Sequence, residues 1–224
     1  MTIDKYLVMM VLMAKNRDLE LLYELGALRF IPRAWKQFFN ADFENLAEHH
    51  FRVAWLGLTL SKMEKRGDHA KILKMALVHD IAESRTCDVH QIGRQYTERN
   101  ESLAIDDILK YTLLGQEMKK LWHEYEARKT IEAKIVKDAD WLDVDLEIQE
   151  QLTRGVSGIK AWLSNREIVY KKLHTKSGKK FWQLIYQSNP QDWFKNARSR
   201  FNSGDMRPSS SPPPLARGGL RRGR

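Results

Sequence analysis

A chain of 224 residues, 42% hydrophobic and 30% charged, can bury a substantial core and is too mixed in composition for a disordered or membrane-spanning protein. Cys87 is the single cysteine, so no intrachain disulfide forms and a reducing cytoplasm is the expected setting. The formal charge of +9 is uneven: five arginines against Asp205 give residues 203–224 a net +4, leaving +5 elsewhere. That balance suits an anionic substrate but does not by itself specify nucleic acid.

Four of the six prolines (Pro208, Pro212, Pro213 and Pro214) lie near the end, and only Pro32 and Pro190 precede them. A body so poor in helix breakers, with no alternating β-branched runs, predicts an all-α fold. In chain order, apolar spacing predicts helices over 3–15 and 17–26, a short turn at 34–40 and a long helix over 45–65 ended by "KRGD". A helix over 69–84 comes next, then the irregular "RTCDVHQIGRQYTERN". Helices follow near 101–113, 115–127, 129–153, 158–173 and 178–188, and Asn189 is placed to cap a last one. The early apolar stretch from Tyr6 to Ala14 is too short to span a bilayer. Asp4 before it, and no small-residue cleavage site after it, argue against a signal peptide. The expected organisation is one helical domain over 1–202 and a Pro/Ser/Gly/Arg-rich tail over 203–224 too polar to fold, with no membrane association.

Chemistry concentrates in three places. "MALVHDIAES" (75–84) sets His79 and Asp80 inside an apolar run, with Glu83 just after. Burying polar groups unpaired costs about 2–7 kcal/mol each, so these need partners. On a continuous helix His79 and Glu83, four apart, share a face, and Asp80 and Glu83, three apart, adjoin. In "NLAEHHFRVAWLGLTL", Leu46, His49, Val53, Leu56 and Leu60 fall on one stripe, which makes His49 a core histidine, while His50 falls off it beside Ala54 and Gly57. In "IEAKIVKDADWLDVD", the stripe through Ile131, Ile135, Val136 and Ala139 turns Asp140 inward. Asp138 and Asp145 are expected to face solvent, and Asp143 competes with Asp140 for the inward place. A lone histidine on such a stripe is a satisfied core residue. His49, His79, Asp80 and Asp140 together form an N/O set suited to a divalent transition ion (Mn, Fe, Co, Ni or Zn), which removes the cost of burying them. Cys87, without a paired base, is expected to be a small packing residue.

The blocks "ENLAEHHFRVA", "ALVHDIAESRTCDVH" and "LWHEYEARKTIEAKIVKDADWLDV", in that order, resemble the HD-domain metal-dependent phosphohydrolases, whose signature is H…HD…D. More closely they resemble the 5′-deoxynucleotidase branch, over most of residues 25–150; residues 155–202 match loosely. The resemblance implies an HD-type helical bundle with one divalent ion held between core helices by His49, His79, Asp80 and Asp140. It implies that Glu83 handles the proton of the attacking water and that Asp88 helps position water or the leaving group. "PRAW" resembles a segment in which an Arg binds the substrate phosphate and a Trp packs near the sugar, here Arg33 and Trp35. The branch often carries a second basic residue shortly after that Trp; this chain departs from it, reading "KQFFNADF", with Lys36 as the candidate substitute. The implied reaction removes the 5′-phosphate from (deoxy)nucleoside 5′-monophosphates by metal-activated water.

Two alternatives stay open. One is another HD-type phosphohydrolase, a phosphodiesterase or a nucleoside triphosphate hydrolase, although no second His cluster for a binuclear site is present. The other is a basic nucleic-acid-binding protein. "YKKLHTKSGKKFW" interleaves Lys171, Lys172, Lys176, Lys179 and Lys180 with Tyr170, Phe181 and Trp182, a mixture that can track a strand. The favoured expectation there is a solvated helix-loop-helix with its aromatics in the core. A homodimer is a further open expectation.

Overall fold

The computed structural model describes residues 16–39 and 42–195; the expected helix over 3–15 and the tail over 203–224 lie outside them. Among the described residues every regular element is helical, and the one extended pairing is an isolated bridge between Pro32 and Asn45. Residues 16–27 (α1) run into a 3-10 turn, Leu28–Phe30, followed by α2 (Lys36–Phe39) and α3 (Leu46–Glu64). Then come α4 (His69–Val78), α5 (Glu83–Thr86), α6 (Glu101–Leu109), α7 (Gly115–Ala127) and α8 (Ile131–Thr153). A 3-10 segment, Ser157–Trp162, leads into α9 (Leu163–Lys172), α10 (Lys176–Gln187) and α11 (Asp192–Lys195). No helix among the described residues is long and apolar enough to cross a membrane.

Local chemistry sets these boundaries. Asn45 and Glu48 form a reciprocal capping box at the start of α3, and Asp68, Asn100, Thr130 and Thr175 cap α4, α6, α8 and α10. Each satisfies a backbone N–H that the helix itself leaves unpaired. "KRGD" stops α3 because Lys65 turns left-handed, at φ 57°, and Gly67 follows at φ 94°.

α8 is the axis of the fold. α3, α4, α7 and α10 all pack against it. Ile135, Val136, Ala139 and Leu142 of α8 are fully buried with Val53 and Leu60 of α3 and Ile72 and Met75 of α4. α3 and α4 approach closely at Gly57, where a Cβ would come within 2.9 Å of Ile72. A helix surrounded in this way has little solvent face, and two sequence expectations fail for that reason. Asp138 and Asp145 are buried rather than solvated. Asp138 accepts hydrogen bonds from the backbone N–H groups of His174 and Thr175, both at 2.8 Å, and from the Thr175 hydroxyl at 2.7 Å. Asp145 binds Arg166 through both carboxylate oxygens, at 2.7 and 2.9 Å, and accepts from the Tyr186 hydroxyl at 2.8 Å. The two carboxylates tie α9 and α10 to α8.

The expected helix over 69–84 also divides. α4 ends at Val78, and the backbone continues in tighter turns, with Glu83 N–H donating to Asp80 O at 3.0 Å and Ser84 N–H to Ile81 O at 3.1 Å. Three-residue spacing replaces four-residue spacing there. The expected helix over 158–173 similarly begins as a 3-10 segment. Cys87 is exposed, at φ 60°, rather than packed. In the lysine-rich stretch, Tyr170, Phe181 and Trp182 pack on the core, while Lys171, Lys172, Lys176 and Lys180 are exposed.

Candidate metal centre and substrate cleft

Three elements converge on one point: α3 brings His49, the turn after α4 brings His79 and Asp80, and α8 brings Asp140. One ligand atom from each of the four lies within 4.8 Å of all the others. His49 Nε2 is 3.3 Å from His79 Nε2, 3.4 Å from Asp140 Oδ1 and 3.6 Å from Asp80 Oδ2. His79 Nε2 is 3.2 Å from Asp80 Oδ2. The far nitrogens fix how the rings are presented. His49 Nδ1 donates to Asp143 Oδ2 at 2.6 Å, and His79 Nδ1 donates to the Ala76 carbonyl at 2.8 Å. Both Nε2 atoms therefore offer lone pairs toward two carboxylates, a convergence of acceptors that a divalent cation satisfies. The donor set fits such an ion.

The carboxylates make a field that favours positive charge at this point, whether a proton on His49 Nε2 or a cation in its place. Burial and the Arg33 charge pull the His49 imidazole down, but Asp140, Asp143 and Asp80 outweigh them and hold it well above the ordinary histidine range. Burial pushes the Asp140 carboxyl up, but Lys137 and His49 hold it well below the usual carboxylate range. Asp80 is likewise held down, by His79 and His49 against its burial. His50, buried against His79 with ring centroids 4.6 Å apart, is pulled well below the ordinary histidine range by burial and the neighbouring His79. It packs behind the group.

Sequence reasoning missed much of the supporting structure. Asp143, the competitor of Asp140, is fully buried and orients His49 from behind; Arg52 binds its other oxygen and also reaches Glu44, Glu147 and Glu150 at 2.8–3.0 Å. Burial pushes the Asp143 carboxyl up, but His49 and Arg52 bring it to about 2. The guanidinium of Arg52 supplies the positive charge among these acids, which distinguishes them from the four-residue group. Tyr125 donates from its hydroxyl to Asp140 Oδ2 at 3.3 Å, and Lys137 Nζ lies 2.7 Å from the same oxygen. Lys137 and Asp140 are three residues apart, a spacing visible in the sequence; Tyr125, on a different helix, carries no such signal.

The group opens on a cleft of about 460 Å³ lined by Asp80, Asp140, Glu83, Asp88, Arg33 and Trp35 among others. Glu83 is buried; Arg99 donates to its Oε1 at 3.1 Å, and its Oε2 has no hydrogen-bond partner. Burial, then the charges of Asp80 and Asp88, push the Glu83 carboxyl well above the usual range. Asp88 Oδ2 accepts from the Ala34 N–H at 3.1 Å and lies 3.4 Å from Arg33 Nε. Arg33 is 7% exposed, with its charge bordering Asp88, Asp140, Glu44 and Asp80. Trp35 stacks on Phe39 at 6.0 Å and meets Trp162 edge-on at 5.3 Å. Lys36 departs from expectation: it lies 3.8 Å from Asp42 and lines a separate groove. The other cations lining the cleft are Arg94, Arg99, Arg128, Lys137, Arg166 and Lys172.

A model of the HD domain matches residues 25–182. The chain belongs to the HD domain family. Among its relatives, this HD protein is 36% identical over 118 residues to the 5′-deoxynucleotidase HDDC2 of Dictyostelium discoideum, covering 48% of this chain and 62% of that one. It is 32% identical over 136 residues to the 5′-deoxynucleotidase hdd1 of Schizosaccharomyces pombe, covering 56% and 68%. The chain thus spans about two thirds of the length of these curated relatives. A conserved hypothetical protein of Pyrococcus furiosus superposes with a TM-score of 0.64 at 27% identity, over 76% of this HD protein and 99% of the other.

Proposed function

We propose that the chain is a metal-dependent phosphomonoesterase that removes the 5′-phosphate from nucleoside 5′-monophosphates, deoxy forms included. The observation that carries this reading is the convergence of His49, His79, Asp80 and Asp140 on a cleft that also presents Arg33. The names of the relatives support it. The N/O donor set suits Mn, Fe, Co, Ni or Zn. A divalent ion held by these four residues supplies neutralisation of phosphoryl charge and acidification of water.

The chain's own groups do the rest. Arg33 binds the phosphate dianion; its planar fork suits phosphate better than an ammonium does. Asp88 holds the Arg33 segment by accepting from the Ala34 N–H and lies 3.4 Å from Arg33 Nε, which has no hydrogen-bond partner. Glu83 Oε2, buried and unpartnered, accepts the proton that the attacking water loses as its oxygen bonds phosphorus, and that proton passes to the nucleoside 5′-oxygen as its bond to phosphorus breaks. Its partner Arg99 stabilises the carboxylate before transfer. Phosphate esters hydrolyse so slowly unaided that accelerations up to about 10²¹-fold are known, so charge neutralisation and proton transfer must act together.

Metal analysis of the purified protein, with phosphate release measured over ribo- and deoxynucleoside 5′-monophosphates and over di- and triphosphates, tests the reading. Metal-dependent release from monophosphates is expected. Turnover confined to triphosphates, or undiminished by metal removal, overturns it.

A further inference from the structure

Resting on that reading of the cleft, we propose that Trp162, with Phe38 and His90 and braced by Trp35 on the sugar side, forms the subsite that takes the nucleobase and so separates nucleotides from plain sugar phosphates. All four residues line the same cleft as Arg33 and the candidate metal ligands. They hold one another by ring contacts: Trp162 to Trp35 at 5.3 Å, Trp162 to Phe38 at 5.5 Å and Phe38 to His90 at 5.0 Å. His90 is oriented by its Nδ1, which accepts from the Gly93 N–H at 3.1 Å.

Trp35 packs in part on the cluster of Phe43, Val144, Ile148 and Ile159, yet all four rings of the subsite keep surface open. Phe38 is 37% exposed, and Trp35, His90 and Trp162 are half-buried. Aromatic surface left open to a polar cleft is costly unless a planar, weakly hydrated partner covers it. The chemistry of the neighbouring residues selects that partner. Arg33 and Trp35 are two residues apart, which limits their separation along the chain to about 7 Å. Arg33 and the aromatic group line one cleft, so a nucleotide with its phosphate at Arg33 has its base to place on those rings.

Trp162 is the informative member because it comes from the 3-10 segment Ser157–Trp162, beyond the three HD blocks. The segment is held in place from below: Ile159 is fully buried with Val144, Ile148 and Phe43. Arg166, one turn after Trp162, is pinned to α8 through Asp145 and the Trp141 carbonyl.

The test compares dAMP, dCMP and the base-free 2-deoxyribose 5-phosphate on wild type, Trp162→Leu and Trp162→Phe, all metal-loaded and checked for the same unfolding transition. Wild type is expected to prefer dAMP to the base-free ester in kcat/KM. Trp162→Leu is expected to shrink that preference about tenfold, through KM, and to affect dAMP more than dCMP because the purine overlaps more ring area. Trp162→Phe restores most of it. Should Trp162→Leu not fold, Phe38→Leu, at a more exposed position, carries the same comparison. A preference unchanged in the folded variants overturns the base subsite while leaving the phosphatase reading intact. Wild type that releases phosphate from no nucleotide overturns that reading and the subsite with it.

Discussion

The two sides of the cleft are built from different kinds of backbone. The candidate metal side comes from the long helices α3 and α8 and the tight turn after α4. His49, His79 and Asp140 are buried there, and each has a second group fixing its orientation: Asp143, the Ala76 carbonyl, and Tyr125 with Lys137. The aromatic side comes from short elements, α2, the loop carrying His90 and the 3-10 segment ending at Trp162, whose rings brace one another. The contrast is physical. Ligand atoms must keep their mutual distances to a fraction of an ångström, which packed helices provide. A surface that receives a planar ring tolerates looser placement and sits on connecting segments.

Substitutions should expose this division, beginning with the most severe. His79→Ala or Asp140→Ala is expected to abolish bound metal and phosphate release together, as read by metal content and phosphate assay; full turnover in a metal-free variant would refute the assigned chemistry. Glu83→Gln should retain metal yet lose about 10²- to 10⁴-fold in kcat, the usual contribution of a proton-transferring side chain. A near-normal rate would move that role to another residue. Asp143→Asn keeps the shape of the support but weakens the hydrogen bond to His49. A loss of about 10- to 100-fold in metal affinity by competition titration is expected, and unchanged affinity would show that His49 needs no support from behind. Arg33→Ala should raise KM about tenfold or more while metal content stays constant, since it removes a charge-assisted hydrogen bond worth about 1.5–3 kcal/mol. An unaltered KM contradicts the clamp. Mildest of all, Phe38→Ala should cost about 1 kcal/mol in denaturant unfolding and leave metal content untouched. Metal loss in that variant would mean the two sides are not separable.

Sequence patterning reached the first side far better than the second. His49 and Asp140 stand on recognisable apolar stripes, and "VHDIAE" places ionisable groups in an apolar run, so three of the convergent segments announced themselves. The local geometry was less legible. The change from four- to three-residue winding after Val78 leaves no mark on hydrophobic spacing, so a continuous helix was the natural expectation. Asp138 and Asp145 were expected in solvent because an amphipathic stripe assumes one wet face, whereas α8 is enclosed by four other helices. Their partners, Thr175 and Arg166, lie 37 and 21 residues away and cannot be inferred from local spacing. Trp162 was unreadable for a related reason: a six-residue 3-10 segment is too short to show a period, and its contacts reach back to α2.

The carboxylate of Asp88 has a consequence for any attempt to re-engineer the molecule. It joins the Arg33–Ala34 backbone across 54 residues of chain, and it sits just past the one-turn helix that begins with Glu83. The proposed proton acceptor, Glu83, and the proposed anion clamp, Arg33, are therefore linked through Asp88, five residues on from Glu83 and bonded to the residue after Arg33. Tuning phosphate affinity by moving the clamp would drag the base off its line of attack. Altering the base by lengthening the segment between Glu83 and Asp88 would disturb the support of the clamp. The two properties have to be redesigned as a pair, and residue 88 is the pin that couples them.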